Sequence, residues 1–377
     1  MSQTPLSPPP VGGRVVVAMS GGVDSSVTAA LLKEQGHDVV GLTMRLYDHG
    51  KPLGPGARTC CAGQDIHDAR RVADRLGIAH YVLDYESRFR EDVIEPFAAS
   101  YGRGETPIPC VLCNQTVKFR DLLAAALELG GTALATGHYV RRFDGPEGPR
   151  LYRAVDPGRD QSYFLFATTK GQLGRLLFPL GAMASKDETR AIARRLGLAV
   201  GDKPDSQDIC FVPDGDYAKV VERLRPGVVE AGEIVDLDGT VLGHHPGLIH
   251  FTVGQRRGVG IGGSAEPLYV IALDTATHRL IVGPHAALAR REIAVSGLNW
   301  LGEGEGPASA GTRARIKIRH ASPPFPGQIF PGATAGEARV VLDEPAHGVA
   351  PGQAAVFYGL DDSEARVLGG GWIGASR

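Results

Sequence analysis

Apolar and polar positions change their period along the chain, and the change divides it. Arg14 to Met19 is a β-branched run that stops at a glycine pair, and Ser26 to Gln35 then carries apolar residues on one helical face, with Gly36 as its stop. Asp38 to Leu46 reads as a second strand, Ile66 to Leu76 as a helix ended by Gly77, and Ala79 to Leu83 as a third strand. Lys118 to Leu129 is a further helix, leading through Gly130 and Gly131 to a strand at Ala133 to Thr136. Such β-α-β-α alternation predicts an α/β, doubly wound parallel sheet with helices on both faces, placed at about residues 14–212. From about 213 the runs are short, β-rich and separated by Gly and Pro: Gly232 to Val235, Leu268 to Leu273, Arg279 to Val282, Arg313 to Arg319, Glu337 to Leu342 and Ala354 to Tyr358. They predict a central β-rich domain over 213–290 and a β-barrel-like C-terminal domain over 291–377. Gly302 to Gly311 reads as a loop or linker, residues 1–13 as a disordered Pro- and Ser-rich start, and no internal repeat is visible.

Composition adds little to this division and cysteine usage adds more. The 377 residues are 43% hydrophobic and 22% charged with a formal net charge of −2, so a nucleic-acid partner would have to meet local basic patches. No stretch approaches the roughly 18 apolar residues of a membrane span and no signal-peptide core is visible, which predicts a cytoplasmic protein. Cysteines stand at 60, 61, 110, 113 and 210. An odd number in a long chain of this kind argues for reduced, metal-binding or catalytic thiols over a disulfide framework.

The string Ser20-Gly21-Gly22-Val23-Asp24-Ser25-Ser26 follows the first strand and opens the first helix. Backbone N–H groups at a helix N-terminus and the helix dipole favour a phosphate there, and two glycines let it approach without obstruction by Cβ. Ser20, Ser25 and Ser26 offer hydroxyl donors and Asp24 an oxygen for Mg²⁺. The lysine of the G-x-x-x-x-G-K-[ST] pattern is missing, which argues against transfer of the γ-phosphoryl group. Taken as residues alone, the string also suits a glycine turn capped by Asp24 or Ser25. As a whole it resembles the pyrophosphatase-type loop (PP-loop) of adenylating enzymes, which cleave ATP between the α and β phosphates and leave AMP on a substrate oxygen.

Two cysteine segments narrow that resemblance. Thr106-Pro107-Ile108-Pro109-Cys110-Val111-Leu112-Cys113-Asn114 carries C-x-x-C in a proline-stiffened turn, and Lys203-Pro204-Asp205-Ser206-Gln207-Asp208-Ile209-Cys210-Phe211 presents a third thiol. With Thr136-Gly137-His138-Tyr139, Asp160-Gln161-Ser162-Tyr163-Phe164-Leu165, Phe251 to Gly258, Ala350-Pro351-Gly352-Gln353 and Leu368 to Gly371, the chain resembles the bacterial tRNA-specific 2-thiouridylases over about 14–373. The resemblance implies adenylation of the wobble uridine of a tRNA and replacement of its O2 by sulfur. It further implies a persulfide on Cys210, a nucleophile at Cys113 and a transient disulfide between them. It places ATP, with Mg²⁺, on Ala18, Met19, Ser20, Gly21, Gly22, Val23, Asp24, Ser25, Met44 and Gly137. Contacts to tRNA fall on Ile108, Pro109, Cys110, His138, Arg159, Asp160, Gln161, Arg319, His320 and Gln353. The sulfur donor it implies is a cysteine desulfurase, acting directly or through a sulfur carrier. Cys110 departs from a common family pattern, which has Asp there. It is either a bystander thiol or, with Cys113 and Cys210, one of three ligands to a [4Fe–4S] cluster; Cys60 and Cys61 read as packing or surface thiols.

Arg313-Ala314-Arg315-Ile316-Lys317-Ile318-Arg319-His320 is informative by its spacing alone. As a strand it buries Ala and Ile on one face and lines the other with cations, able to track phosphates or simply to face solvent. A uracil carbon is inaccessible in a stacked loop, so the target base would have to be extruded into the nucleotide pocket. Two other classes fit parts of the chain: an amide-forming adenylating synthetase, which would not need Cys113 and Cys210, and an RNA-binding protein without catalysis.

Overall fold

A computed structural model describes residues 13–46, 63–204, 209–212, 215–227, 229–262, 266–361 and 365–374. Cys60, Cys61, the Asp205–Asp208 part of the second cysteine segment and the Pro-rich start lie outside the described residues. The chain divides into two compact units, one drawn from 1–93, 110–215 and 361–367 and the other from 94–109, 216–360 and 368–377.

The first unit is built on a parallel sheet. Strand β1 (Arg14–Ala18) is followed by helix α1 (Val23–Glu34), β2 (Asp38–Arg45), helix α2 (Gly63–Leu76) and β3 (Ala79–Asp84). β4 (Ala133–Ala135), the hairpin β5 (Val140–Gly145) and β6 (Gly148–Arg153), and β7 (Leu176–Leu177) come later. The sheet order is β3-β2-β1-β4-β7, with all four pairings parallel. A central parallel strand is covered on both faces, which is why Val15, Val16 and Val17 form an uninterrupted apolar run, all of them fully buried. Ala29, Ala30 and Leu32 of α1 and Ala69, Val72 and Ala73 of α2 pack into the same core. The chain passes from β1 to β2 on one side, and β4 lies on the other. This reversal of direction opens a crevice at the carboxyl ends of β1 and β4, where doubly wound sheets hold ligands. The doubly wound sheet expected from the alternation is thus present. α1 starts at Val23, directly after the glycines and ahead of the apolar periodicity at Ser26. The helix expected at Lys118 begins as far back as Pro109, with the wider π geometry from Cys113 to Leu122.

The second unit is β-rich. β8 (Gly232–Val235), β9 (Val241–His245), β10 (Tyr269–Asp274) and β11 (Arg279–Gly283) form a sheet of order β10-β11-β8-β9. β12 (Ala289–Trp300), β13 (Thr312–Lys317), β14 (Phe325–Pro331), β15 (Glu337–His347), β16 (Ala354–Tyr358) and β17 (Arg366–Ile373) follow in the order β12-β15-β14-β13-β16-β17. Pairing of β12 with β17 closes these six strands into a barrel and removes its open edges. Ile293, Ala314, Ile316, Ile329, Val340, Leu342 and Phe357 fill the interior. Gly302 to Gly311 connects β12 to β13 inside this barrel, so it is a loop and does not link domains. Among the described residues no helix is long and apolar enough to cross a membrane.

Candidate active site

The glycine loop runs from the end of β1 into α1 and is ordered by its own hydroxyls. The Ser25 hydroxyl accepts from the Ser20 N–H at 3.1 Å and donates to the Gly22 carbonyl at 3.2 Å, while the Ser26 hydroxyl donates to the same carbonyl at 2.8 Å. Ser25 and Ser26 therefore shape the turn. No side chain caps α1 at Gly22, and the first amides of a helix lack partners within it, so a phosphate has donors to meet. Gly21 has φ +76°, and a Cβ there would run into the Asp65 backbone carbonyl. A Cβ on Gly137, just after β4, would come to 2.8 Å from both Asp24 C and Ser25 N. Both glycines are required by close backbone approach at the crevice. Ala18 and Met44, at the ends of β1 and β2, are partly exposed there, whereas Met19 is buried with its sulfur against Gly41.

Two lysines reach the loop from distant positions in the chain. Lys186, the first residue of the helix Lys186–Arg195 after the cap Ser185, is buried and places Nζ 2.8 Å from both Asp24 carboxylate oxygens. Tyr139 donates its hydroxyl to Asp24 Oδ1 at 2.8 Å and lies 2.8 Å from the Thr189 hydroxyl. Burial, with Asp24 next to it, raises the Tyr139 pKa well above the ordinary phenol value, so this hydroxyl stays protonated and a donor. Asp24, expected to offer an oxygen to Mg²⁺, thus has both carboxylate oxygens engaged by an ammonium. Lys203 donates to the Gly21 carbonyl at 3.1 Å, to Asp65 Oδ1 at 2.6 Å and to Asp68 Oδ2 at 2.7 Å. Burial pulls the Lys203 pKa down, but its two carboxylate partners outweigh it and the ammonium is held charged. Lys186 leaves no motif in the sequence, because its partner lies 162 positions away.

The three described cysteines are thiols outside any disulfide: Cys110 exposed, Cys113 buried and Cys210 partly exposed. Burial pushes the Cys113 thiol above its ordinary pKa, against the opposing pull of Lys118 one helical turn and more along. The cationic surroundings expected for a reactive thiolate are present as Lys118, yet desolvation wins in this state. Lys118 is itself held by the Asn114 side-chain oxygen at 3.0 Å. Cys210 sits in a turn closed by the Val212 N–H to Ile209 carbonyl bond of 2.8 Å; Phe211 is buried with its ring 5.8 Å from that of Phe89. Among the described residues no group of three His, Cys, Asp or Glu is gathered to hold a metal. The expectation of an iron–sulfur cluster on Cys110, Cys113 and Cys210 therefore has no support: Cys110 faces solvent while Cys113 is enclosed.

The residues expected to touch tRNA divide by what already engages them. Asp160 is buried and accepts from the Ala154 and Ser162 amides, the Arg153 guanidinium and the Ser162 hydroxyl. Gln161 accepts from the Tyr139 amide at 2.9 Å. These two build the turn that presents the half-exposed Arg159. His138 is held by Thr136 at 2.8 Å between the Phe119 and Phe178 rings, and burial, then Lys118, keep its pKa well below the usual imidazole value. In the second unit, Gln353 donates to the Thr106 carbonyl at 2.9 Å, just before the buried Ile108 and Pro109. Arg319 donates to the Val253 carbonyl at 2.6 Å, and His320 beside it is exposed. On β13 burial alternates as expected, with Ala314, Ile316 and then Ile318 inside. Arg313, however, is paired with both oxygens of Asp343 at 2.7 and 2.8 Å, which removes one cation from the basic face.

Three family models match the chain: one described as the tRNA methyl transferase HUP domain over residues 13–214, the tRNA methyl transferase PRC-barrel domain over 223–284, and the aminomethyltransferase beta-barrel domain over 290–373. The chain is 98% identical over 377 residues to the tRNA-specific 2-thiouridylase MnmA of Rhodospirillum rubrum, covering 100% of both. It is 63% identical over 372 residues to the protein of that name from Rhodospirillum centenum, covering 97% of this chain and 92% of the relative. For the one from Paracoccus denitrificans the identity is 59% over 369 residues, covering 98% and 93%.

Proposed function

Since the chain belongs to the tRNA-specific 2-thiouridylase family, we propose that it adenylates O2 of the wobble uridine of a tRNA with ATP and exchanges that oxygen for sulfur. The observation that carries the reading is the uncapped start of α1 at the crevice, flanked by Lys186 and Lys203, in the same compact unit as Cys113 and Cys210. The uridine O2 attacks the α-phosphorus of ATP; the O–Pα bond forms, the bond from Pα to the bridging oxygen breaks, and diphosphate leaves. The helix start favours the phosphates electrostatically, and Lys186 offsets the Asp24 carboxylate beside it. Mg²⁺ would arrive on the phosphates and neutralise their charge, since Asp24 is already engaged by Lys186.

A carbonyl oxygen is a poor leaving group, and AMP is a good one. The terminal sulfur of a Cys210 persulfide then attacks the activated C2. The Cys113 thiolate attacks Sγ of Cys210, the S–S bond of the persulfide breaks toward the sulfur now on C2, and AMP departs with the C2–O bonding pair. The products are 2-thiouridine, AMP and a Cys113–Cys210 disulfide, with the two thiol protons passing to solvent; a dithiol reductant resets the pair. Extrusion of the base from its stack is required before either step. The sulfur is supplied by a cysteine desulfurase or a sulfur carrier. Residues 14–212 perform the chemistry, and the 213–290 and 291–377 domains grip the tRNA, with Arg319, His320 and Gln353 in the latter. Arg159 and His138 contact the tRNA from the catalytic domain, and Cys110 stands beside Cys113 as a bystander thiol.

The test is reconstitution with ATP, a persulfide donor and unmodified tRNA, followed by digestion and measurement of 2-thiouridine. Cys113→Ser and Cys210→Ser are expected to abolish product and retain tRNA binding. Full activity of both variants refutes the mechanism.

A further inference from the structure

The short connection between β11 and β12 folds one histidine onto another. Pro284 precedes a 3₁₀ turn over His285–Leu288, and Leu288 at its far end is buried with Val253 and Ala350. The next residue, Ala289, pairs across the sheet with His347 at the end of β15. Held by that burial and that pairing, the turn lays the His285 ring on the His347 ring, with centroids 4.2 Å apart and planes 15° from parallel. Tyr269 of β10 meets the His285 ring edge-to-face at 5.1 Å. Both histidines are exposed, so the stack ends at solvent.

The surroundings of this stack are cationic. Gly348, directly after His347, lies against the Arg319 guanidinium: a Cβ there would come to 2.9 Å from Nη2, and one on Gly254 to 3.1 Å. The turn over 254–258 is fastened to β10 beside Tyr269, the Gly254 N–H donating to the Val270 carbonyl at 2.8 Å and the Val270 N–H to the Gln255 carbonyl at 2.9 Å. Arg256 and Arg257 in that turn are exposed. Flat rings among exposed cations suit a nucleobase with its phosphates: unstacked RNA bases stack on aromatic side chains, histidine included, and phosphates take the arginines. An acidic protein segment would use the cations and leave the ring faces without a partner.

We propose that His285 and His347 form a stacking platform for an unpaired base of the tRNA, other than the uridine that reacts at the glycine loop. Because the two rings already hold each other, adding a base as a third layer costs little side-chain ordering. This inference rests on tRNA being the substrate.

The full-length chain and unmodified tRNA are used throughout. In His347→Ala the Kd for tRNA is expected to rise about tenfold, as for loss of one base–aromatic stack. His347→Phe keeps a flat ring without its nitrogens and is expected to stay within about twofold of the unaltered protein. Should His347→Ala not fold, hydroxyl-radical footprinting of the unaltered protein needs no variant: bound tRNA is expected to slow oxidation of His285 and His347 about threefold or more. An unchanged Kd in His347→Ala, a loss in His347→Phe equal to that in His347→Ala, or oxidation rates indifferent to tRNA overturns the platform. Formation of 2-thiouridine by the unaltered chain is measured alongside. Product without these effects overturns the platform alone, whereas neither product nor tRNA binding overturns the reading on which it rests.

Discussion

Replacing Lys186 by Met tests whether the loop borrows its charge from a distant helix. In the intact site Asp24 and Lys186 neutralise each other beside the first turn of α1, with Nζ 2.8 Å from both oxygens. Methionine keeps most of the volume and removes the charge, leaving a net negative carboxylate next to the phosphate position. One unit charge at about 6 Å and an effective dielectric of about 20 interacts with about 2.8 kcal/mol. The Asp24 side chain is 33% exposed, so solvent screening reduces this to about 1–1.5 kcal/mol, roughly a tenfold rise in the KM for ATP. The second change, Asp24→Asn in the Lys186→Met background, removes the stranded charge and is expected to recover much of the loss. Rates of ATP- and tRNA-dependent diphosphate release, measured across ATP concentrations for both single variants and the double variant, close the cycle. An unchanged KM in Lys186→Met, or a double variant whose KM is the product of the two single effects, would refute the reasoning.

Gly137→Ala is expected to weaken ATP binding and lower thermal stability by about 1–3 kcal/mol through overpacking, because the new methyl meets the Asp24–Ser25 backbone at 2.8 Å; calorimetric melting with and without ATP checks both. Arg313→Ser is expected to change the slope of log affinity against log salt for tRNA by much less than one, because Asp343 already holds Arg313; filter binding over a salt series checks it. Burial holds the Cys113 thiol above its ordinary pKa, so its thiolate, and single-turnover sulfur transfer with it, is expected to rise as pH increases into the alkaline range. Lys118→Met removes the opposing cation and is expected to move that limb to higher pH; a profile that is flat, or that moves to lower pH, contradicts the assignment.

What was legible in the sequence was what repeats or lies close together. The β-branched run before Gly21, the helix after it and the alternation at Arg313 to Arg319 are local patterns, and each appears as a strand or helix at its place. The polar partners of the loop were not legible. Asp24 meets Lys186 from 162 positions away, and Gly21 meets Lys203 from 182 positions away. Pairs of that kind have no period, and a lone lysine in a polar stretch looks like any solvated one. The surroundings of Asp160 were not legible either: four donors, from Arg153, Ala154 and Ser162, meet its buried carboxylate. The gathering of three thiols into one cluster also failed to follow from composition, because spacing of three along a helix left Cys110 outside and Cys113 inside.

The missing lysine in the glycine loop takes on a physical meaning once these partners are placed. In a P-loop the cation belongs to the loop itself and accompanies the terminal phosphates. Here Lys186 pairs with Asp24 and Lys203 with Asp65, Asp68 and the Gly21 carbonyl, so the polar partners of the loop are complete only when the chain has folded through its first two hundred residues. An adenylated base left without a sulfur nucleophile would be open to hydrolysis, which restores the uridine and wastes the ATP. In the mechanism proposed above this loss is avoided when the persulfide is already in place on Cys210.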